Sequence, residues 1–488
     1  MDSAALNRDG KDMLEYIAKF WDTLRERKPL HNVTPGYLTA PGVLPDRPPD
    51  EPEELKDVLA DIDKYIMPGM TQWNHPHFFA YFPSSCSYPS IVADMLCSAV
   101  ACIGFTWNSS PACTELEIVM MNWLGRLIQL PEVFLNTPTG RGGGIIQGTA
   151  SEATLVALLA ARSKKLDQID PKKEFLGLID KLVCYTSELA HSSVERASLI
   201  AHVKIKQLPT DSSYSVRGEV LQQAINEDRR NGLIPFYMVA TIGTTSVCSY
   251  DNLKELGEVC AKENLWLHID AAYAGNSIIC PEYRYLIDGV ELADSYNFNP
   301  HKWMMTNFDC SAMWFKDCHL VANAFNVDPL YLQHKHDNEV IDFRHLQIPL
   351  GRRFRSLKLW FGFRLLGVKA LQENIRTQIA LAKEFEKMVR GDRQYEIIGE
   401  VTMGLVCFRL KDTNAMNEAL VKEINDVDRR IHLVPGEVDG TYFLRMAIAS
   451  TKTTVEDVVF GWKVIQECVQ NVKNNNIANG KPITNGVH

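Results

Sequence analysis

None of the twelve cysteines, scattered from Cys86 to Cys468, forms a C-x-x-C pair or stands at His-Cys metal spacing. That lacks the common zinc pattern, so no metal is expected. Several of them, including Cys97, Cys102 and Cys407, sit inside apolar runs, where a free thiol behaves as a small hydrophobe. A reduced, cytoplasmic protein is the expectation. Basic charge is also short: the net charge is −9, which argues against a nucleic-acid partner and against attraction to a membrane surface. Residues 1–27 are charged throughout and hold no apolar core of a secretory signal. The longest apolar stretch, residues 91–107, is broken by Asp94 and rich in small residues, so it predicts a buried helix and no membrane span. Neither a P-loop Lys-Ser/Thr ending nor G-x-G-x-x-G is present, which disfavours nucleotide binding. Internal repeats are absent.

Apolar residues make up 46% of the 488, enough for a large core spread over two or three domains. Met13, Ile17, Trp21 and Leu24 recur at helical spacing, as do Leu55, Val58, Leu59, Ile62 and Ile66. Asp50 is placed to cap the second of these helices, with Pro52 in its first turn. Two lone helices make no core, so residues 1–85 are read as a helical segment that packs on another part of the protein or on a second subunit. In residues 86–369 short apolar runs (144–146, 182–185, 236–241, 265–269 and 310–315) alternate with helical stretches such as 152–165 and 252–263. That alternation predicts an α/β domain whose mostly parallel sheet is covered on both faces. Residues 370–473 read as a small α+β domain, with strands at 405–410 and 442–448, a helix at 414–425 and a last helix starting at a Thr453–Glu456 capping box. The polar, Asn-rich residues 474–488 are expected to be disordered.

Three pieces carry chemistry. Lys302 lies in Asn299-Pro300-His301-Lys302-Trp303, directly after an apolar run; alone, such a lysine could simply reach for solvent. Asp270 ends an apolar strand and is followed by small residues, where it could serve a ligand or merely cap a helix. Gly142-Gly143-Gly144 leads to Gly148-Thr149-Ala150-Ser151, a strand opening into a helix whose free N–H groups suit a phosphate. In parallel sheets ligands bind beyond the carboxyl ends of the strands. Together the pieces suit pyridoxal 5'-phosphate (PLP): a lysine for the Schiff base, an acid for the pyridine nitrogen and a turn for the phosphate.

Longer motifs strengthen this reading. HPHFFAYFP (75–83), SPACTELE (110–117), GTASEATLVALLAAR (148–162), AHSSVERA (190–197), LHIDAAYAG (267–275), FNPHKW (298–303) and IPLGRRFRSLK (348–358) resemble the group II PLP decarboxylases, and within them the animal aromatic-L-amino-acid decarboxylases. The resemblance covers residues 16–467. It implies the aspartate-aminotransferase-like fold type I and a homodimer with shared active sites, residues 1–85 wrapping the partner. It further implies that Lys302 bonds the cofactor, Asp270 pairs with the pyridine nitrogen and His191 stacks on the ring. Thr149, Ala150, Ser151, Asn299 and His301 would hold the phosphate side, with Thr245 nearby. Trp73, Tyr81, Phe82, Ser84 and Phe105 would line the substrate pocket. Tyr331, in NVDPLYL (326–332), would return a proton to Cα from the family's mobile loop.

The branch is read from the same residues. Oxygen-using aldehyde synthases of this family carry Asn in place of the stacking His or Phe in place of the loop Tyr, whereas His191 and Tyr331 are both present here. Histidine decarboxylases carry Ser where Gly351 stands, and Gly351 leaves room for a phenolic or indole ring. Departures from the family pattern fall at Ser84, Glu188, Leu189, Leu346 and Asn108. The expected activity is decarboxylation of L-DOPA, 5-hydroxytryptophan or tyrosine to the amine. The alternatives are an aldehyde synthase, a histidine decarboxylase, a PLP aminotransferase or a PLP-binding homologue without turnover.

Overall fold

The computed structural model describes residues 2–172, 177–336, 339–340 and 342–478. The chain folds as two compact units. One comprises Ser84–Ile379 and Ile398–Leu405; the other joins the described residues before Ser84 to Ala380–Ile397 and to those from Val406 onward.

The larger unit is built on a seven-stranded sheet of β1 (Gly143–Gln147), β2 (Leu182–Ser187), β3 (Lys204–Leu208), β4 (Ile234–Thr241), β5 (Trp266–Asp270), β6 (Ser295–Phe298) and β7 (Ser311–Phe315). Their order is β1-β7-β6-β5-β4-β2-β3. Only β7 runs against its neighbours. Because β7 opposes both β1 and β6, those two point the same way as β5, β4 and β2. With β3 parallel to β2, six strand ends therefore open on one edge of the sheet. β1, β2, β5, β6 and β7 are buried at every position, as strands covered on both faces must be. The helix Ala150–Ile169 packs Val156, Ala157, Ala160 and Ala161 into the core beside Tyr237 and Trp266. The apolar stretch at 91–107 is helical over Tyr88–Val100 and stops where Ala101 turns left-handed at φ +48°. Among the described residues no helix is long and apolar enough to cross a membrane.

The other unit carries a four-stranded sheet of β8 (Tyr395–Ile397), β9 (Leu405–Leu410, whose first residue counts with the larger unit), β10 (Val434–Val438) and β11 (Thr441–Ala447), in the order β10-β11-β9-β8. The first helix spans Ser3–Asp22. The second begins at Leu55, with Glu54 and not Asp50 at the N-cap position and no side-chain cap. Pro52 disfavours the helical conformation at Glu51, so the helix starts only beyond it. The last helix, Val455–Ala478, starts one residue later than the sequence suggests: Thr454 and Asp457 satisfy each other's backbone N–H groups. It runs past residue 474 to Ala478, so the expected disordered tail does not begin there; residues 479–488 lie outside the described residues.

Three of the buried histidines, His75, His268 and His432, lie outside the turn that carries Lys302 and hold their imidazoles neutral. Burial lowers His75, His268 and His432 to about 4 from the ordinary 6.5. Between those values the unfolded chain binds more protons than the folded one. Folding stability is therefore expected to fall as pH drops from about 6.5 towards 4, with a slope of about 1.4 kcal/mol per pH unit for each imidazole. Urea midpoints measured across that range check it, and an unchanged midpoint would contradict the burial.

Candidate active site

Asp270 is the last residue of β5 and only 4% exposed. In register it stands between Thr241, the end of β4, and Asn297 of β6. Its Oδ1 accepts the Ala272 N–H at 3.0 Å. Among the described residues the Thr241 hydroxyl and both amide atoms of Asn297 are buried with no hydrogen-bond partner, as is Asn299 Oδ1. Buried polar atoms left in this state mark a place for a polar ligand.

From β6 the chain passes through Asn299 into the single helical turn Pro300–Trp303, which carries His301 and Lys302. This turn is fixed from several sides. Lys302 N–H donates to Asn299 O at 2.9 Å. Ser85 donates its hydroxyl to Lys302 O at 2.6 Å and its N–H to His301 O at 2.9 Å, while Ser87 Oγ holds Met305 O at 2.6 Å. Trp303 stacks on Tyr273 at 4.6 Å. His301 Nδ1 accepts the Cys310 N–H at 2.9 Å, leaving its hydrogen on Nε2. Burial, aided by the Lys302 ammonium, lowers His301 to about 3, so it is a neutral ring.

His191 follows β2. Its Nδ1 accepts the Ser193 N–H at 3.1 Å and faces Ser193 Oγ at 2.9 Å, so the neutral ring carries its hydrogen on Nε2. Although one side of the ring is exposed, the protein packed on the other lowers its pKa by desolvation. Asp270 opposes that shift and Lys302 adds to it, which places all three residues within electrostatic reach of one another.

At the end of β1, Thr149 caps the helix Ala150–Ile169 by accepting the Glu152 N–H at 3.1 Å. The Glu152 carboxylate reaches back to Gly148 N–H at 3.0 Å. The next N–H groups, of Ala150 and Ser151, belong to the first helical turn, which has no intrahelical acceptor and attracts anions. A Cβ on Gly148 would come within 2.9 Å of Glu152 Oε2, so a larger residue there would displace that carboxylate. Thr245 lies on the exposed turn after β4. This set fits PLP: an anion-binding helix start, a carboxylate for a ring cation, an amine for an aldehyde and an imidazole, all on one sheet edge.

The expected substrate residues divide. Trp73, Tyr81 and Phe82 fall in the unit that holds β8–β11. There Trp73 stacks on Tyr81 at 5.1 Å, and the Arg445 guanidinium lies 5.3 Å from the Phe82 ring. Ser84 and Phe105, both half-buried, belong to the larger unit, as does the exposed Gly351. A Cβ at Gly351 would meet Ile103 Cγ2 at 3.4 Å, an ordinary contact. Tyr331 is not packed against His191, Asp270 and Lys302; it is 77% exposed on the turn Leu330–Leu332. Sequence reading missed Thr241, Asn297 and Ser85. The first two were legible as the polar residues level with Asp270 on neighbouring strands, whereas Ser85 acts through a contact 217 residues away.

Comparison with known proteins agrees with this geometry. Residues 35–411 match the pyridoxal-dependent decarboxylase conserved domain. The aromatic-L-amino-acid decarboxylase of Rattus norvegicus is 54% identical over 477 residues, 97% of this chain and 99% of that one. The crystal structure of Oryza sativa TDC with PLP and tryptamine superposes with a TM-score of 0.93 at 34% identity, covering 96% of this chain and 99% of that one. That of Rhodiola rosea 4-hydroxyphenylacetaldehyde synthase gives 0.90 at 35% identity with the same coverage. With fold, site and sequence in agreement, this chain belongs to the pyridoxal-dependent decarboxylases, enzymes of fold type I that use PLP to remove carbon dioxide from amino acids.

Proposed function

We propose that this enzyme converts aromatic L-amino acids of the L-DOPA, 5-hydroxytryptophan or tyrosine type to the corresponding amines. The observation that supports the reading is the placing of Asp270 at the end of β5, level with Asn297 of the neighbouring β6, whose end leads into the turn that carries Lys302. Bound PLP supplies the electron sink for the pair left at Cα when carbon dioxide departs. Lys302 would hold the cofactor through its amine, and Asp270 would keep the ring nitrogen protonated. Thr149, Ala150, Ser151, Asn299, His301 and Thr245 would surround the phosphate. His191 would lie against the ring, its Nε2–H free to donate to a carboxylate because Nδ1 is engaged by Ser193. The Tyr331 hydroxyl would deliver a proton to Cα.

Substrate fit follows from Gly351, whose open side suits a large ring better than a serine would. Trp73, Tyr81, Phe82, Ser84 and Phe105 would complete the pocket. The exposed apolar side chains of the helix Tyr88–Val100, with Tyr88 62% and Val100 51% exposed, support a homodimer with shared sites, since monomers seldom expose such a row. Twelve cysteines, ten of them buried, suit a reducing cytoplasm. Similarity to an aldehyde synthase favours a second reading, in which dioxygen takes the Cα electron pair. Against it stand His191 and Tyr331.

Two substitutions test the assignment. Lys302→Ala is expected to abolish the visible absorption that lysine-bound PLP gives, and a surviving yellow colour would refute it. Tyr331→Phe is expected to lower amine formation by about 10²-fold, the lower range for a general acid. The reaction then diverts to aldehyde: one dioxygen and one water are consumed, and carbon dioxide, ammonia and hydrogen peroxide leave with the aldehyde. Unchanged amine output would refute the role of Tyr331. Assay of DOPA, 5-hydroxytryptophan, tyrosine, tryptophan and phenylalanine ranks the substrates, and aldehyde with no amine from the parent enzyme would establish the second reading.

A further inference from the structure

Asp342 is 4% exposed and serves three donors from three parts of the larger unit. Its Oδ1 accepts the backbone N–H of Trp107 at 2.7 Å. His334 Nε2 lies 3.3 Å from both carboxylate oxygens. Arg344 Nε reaches Oδ2 at 3.4 Å. Arg344 is itself 7% exposed, and its far end turns back on the chain: Nη2 meets Asp328 Oδ1 at 2.8 Å and Nη1 donates to Val327 O at 2.6 Å. Its backbone N–H is 3.4 Å from Phe105 O.

Tyr331 lies between these anchors. Val327 and Asp328 stand before it and His334 after it, and all three are drawn onto the buried Arg344–Asp342 pair. The same pair grips the backbone of Phe105 and Trp107. An exposed phenol on a short turn has no packing of its own to define its position, so the base of its segment must do so.

We infer that Asp342, with Arg344, is a positioning residue that clasps the base of the Tyr331 segment to the Phe105–Trp107 turn, which the proposed substrate pocket includes at Phe105. The clasp fixes where the phenol stands relative to a ring seated beside Phe105. This rests on the proposed role of Tyr331 as proton donor. Release of the clasp lets the segment swing while the cofactor groups at 191, 270 and 302 stay in place. Protonation at Cα then slows, and dioxygen takes the electron pair with the stoichiometry given above for Tyr331→Phe.

The test uses PLP-loaded Asp342→Ala and Asp342→Asn. Both are expected to retain the visible PLP absorption. In Asp342→Ala, kcat for amine should fall at least tenfold with KM changed less than threefold, and the aldehyde share of product should rise. Trypsin should cut after the exposed Lys335 at least tenfold faster than in the parent enzyme. Asp342→Asn keeps an acceptor for Trp107 N–H, so it should fall between the two. Should Asp342→Ala not fold, Asp328→Asn severs the other end of the clasp at a side chain 42% exposed and should speed cleavage about threefold, again with more aldehyde. Parental cleavage and parental amine share in the folded variants would overturn the inference. If Tyr331→Phe also left amine output unchanged, the reading of Tyr331 would fail first; if it diverted product and the clasp variants did not, the clasp alone would fail.

Discussion

Asp270 and Lys302 act on the same imidazole, His191, in opposite directions. A carboxylate at the end of a covered strand and an amine on the turn after the next strand are costly neighbours to bury unless they compensate each other or a ligand. The sheet enforces that closeness, since neighbouring strands lie about 4.8 Å apart. Every other feature of the site serves to hold this arrangement. The Thr149–Glu152 cap shapes the turn after β1, and Ser193 orients the imidazole after β2. Ser85 and Ser87 pin the chain after β6.

Much of this was legible in the sequence because hydrophobic strands covered on both faces announce themselves as unbroken apolar runs. β2, β4, β5 and β7 all fall where such runs predict them. β3 did not, since Lys204, Lys206 and Gln207 lie along a strand at the sheet's margin and its burial is partial. β10 contains Pro435 and Gly436, residues that argue against a strand in sequence but are tolerated where one side of the ladder is free. Among site residues, Lys302, Asp270 and the 148–151 turn carry local signals. The serine tethers and the Asp342 cluster do not, because their partners are distant in sequence and their residue types are ordinary.

The departures from the family pattern also find places in the structure. Glu188 accepts both the N–H and the hydroxyl of Thr210 at 2.9 Å, so it ties the exit of β2 to the chain beyond β3. Leu189 is buried, and Leu346 joins the core cluster around Phe343 and Phe315 while its carbonyl receives the Gln147 amide at 2.7 Å. Asn108 is exposed. Beside them, Glu117 and Arg352 form a fully buried ion pair that also holds the Ile146 N–H and O, linking β1 to the turn with Gly351. Breaking such a pair costs about 3–5 kcal/mol, so it ties β1 firmly to the turn that carries Gly351.

The serine bonds to the carbonyls of Lys302 and Met305 have one more effect. They immobilise the main chain on which the Lys302 amine is mounted, leaving it only the torsions of its own side chain. Were that amine to bond the cofactor as proposed, its exchange with a substrate amine would ask for side-chain rotation alone, on the fast timescale of rotamer hops, while the fold around it stays still.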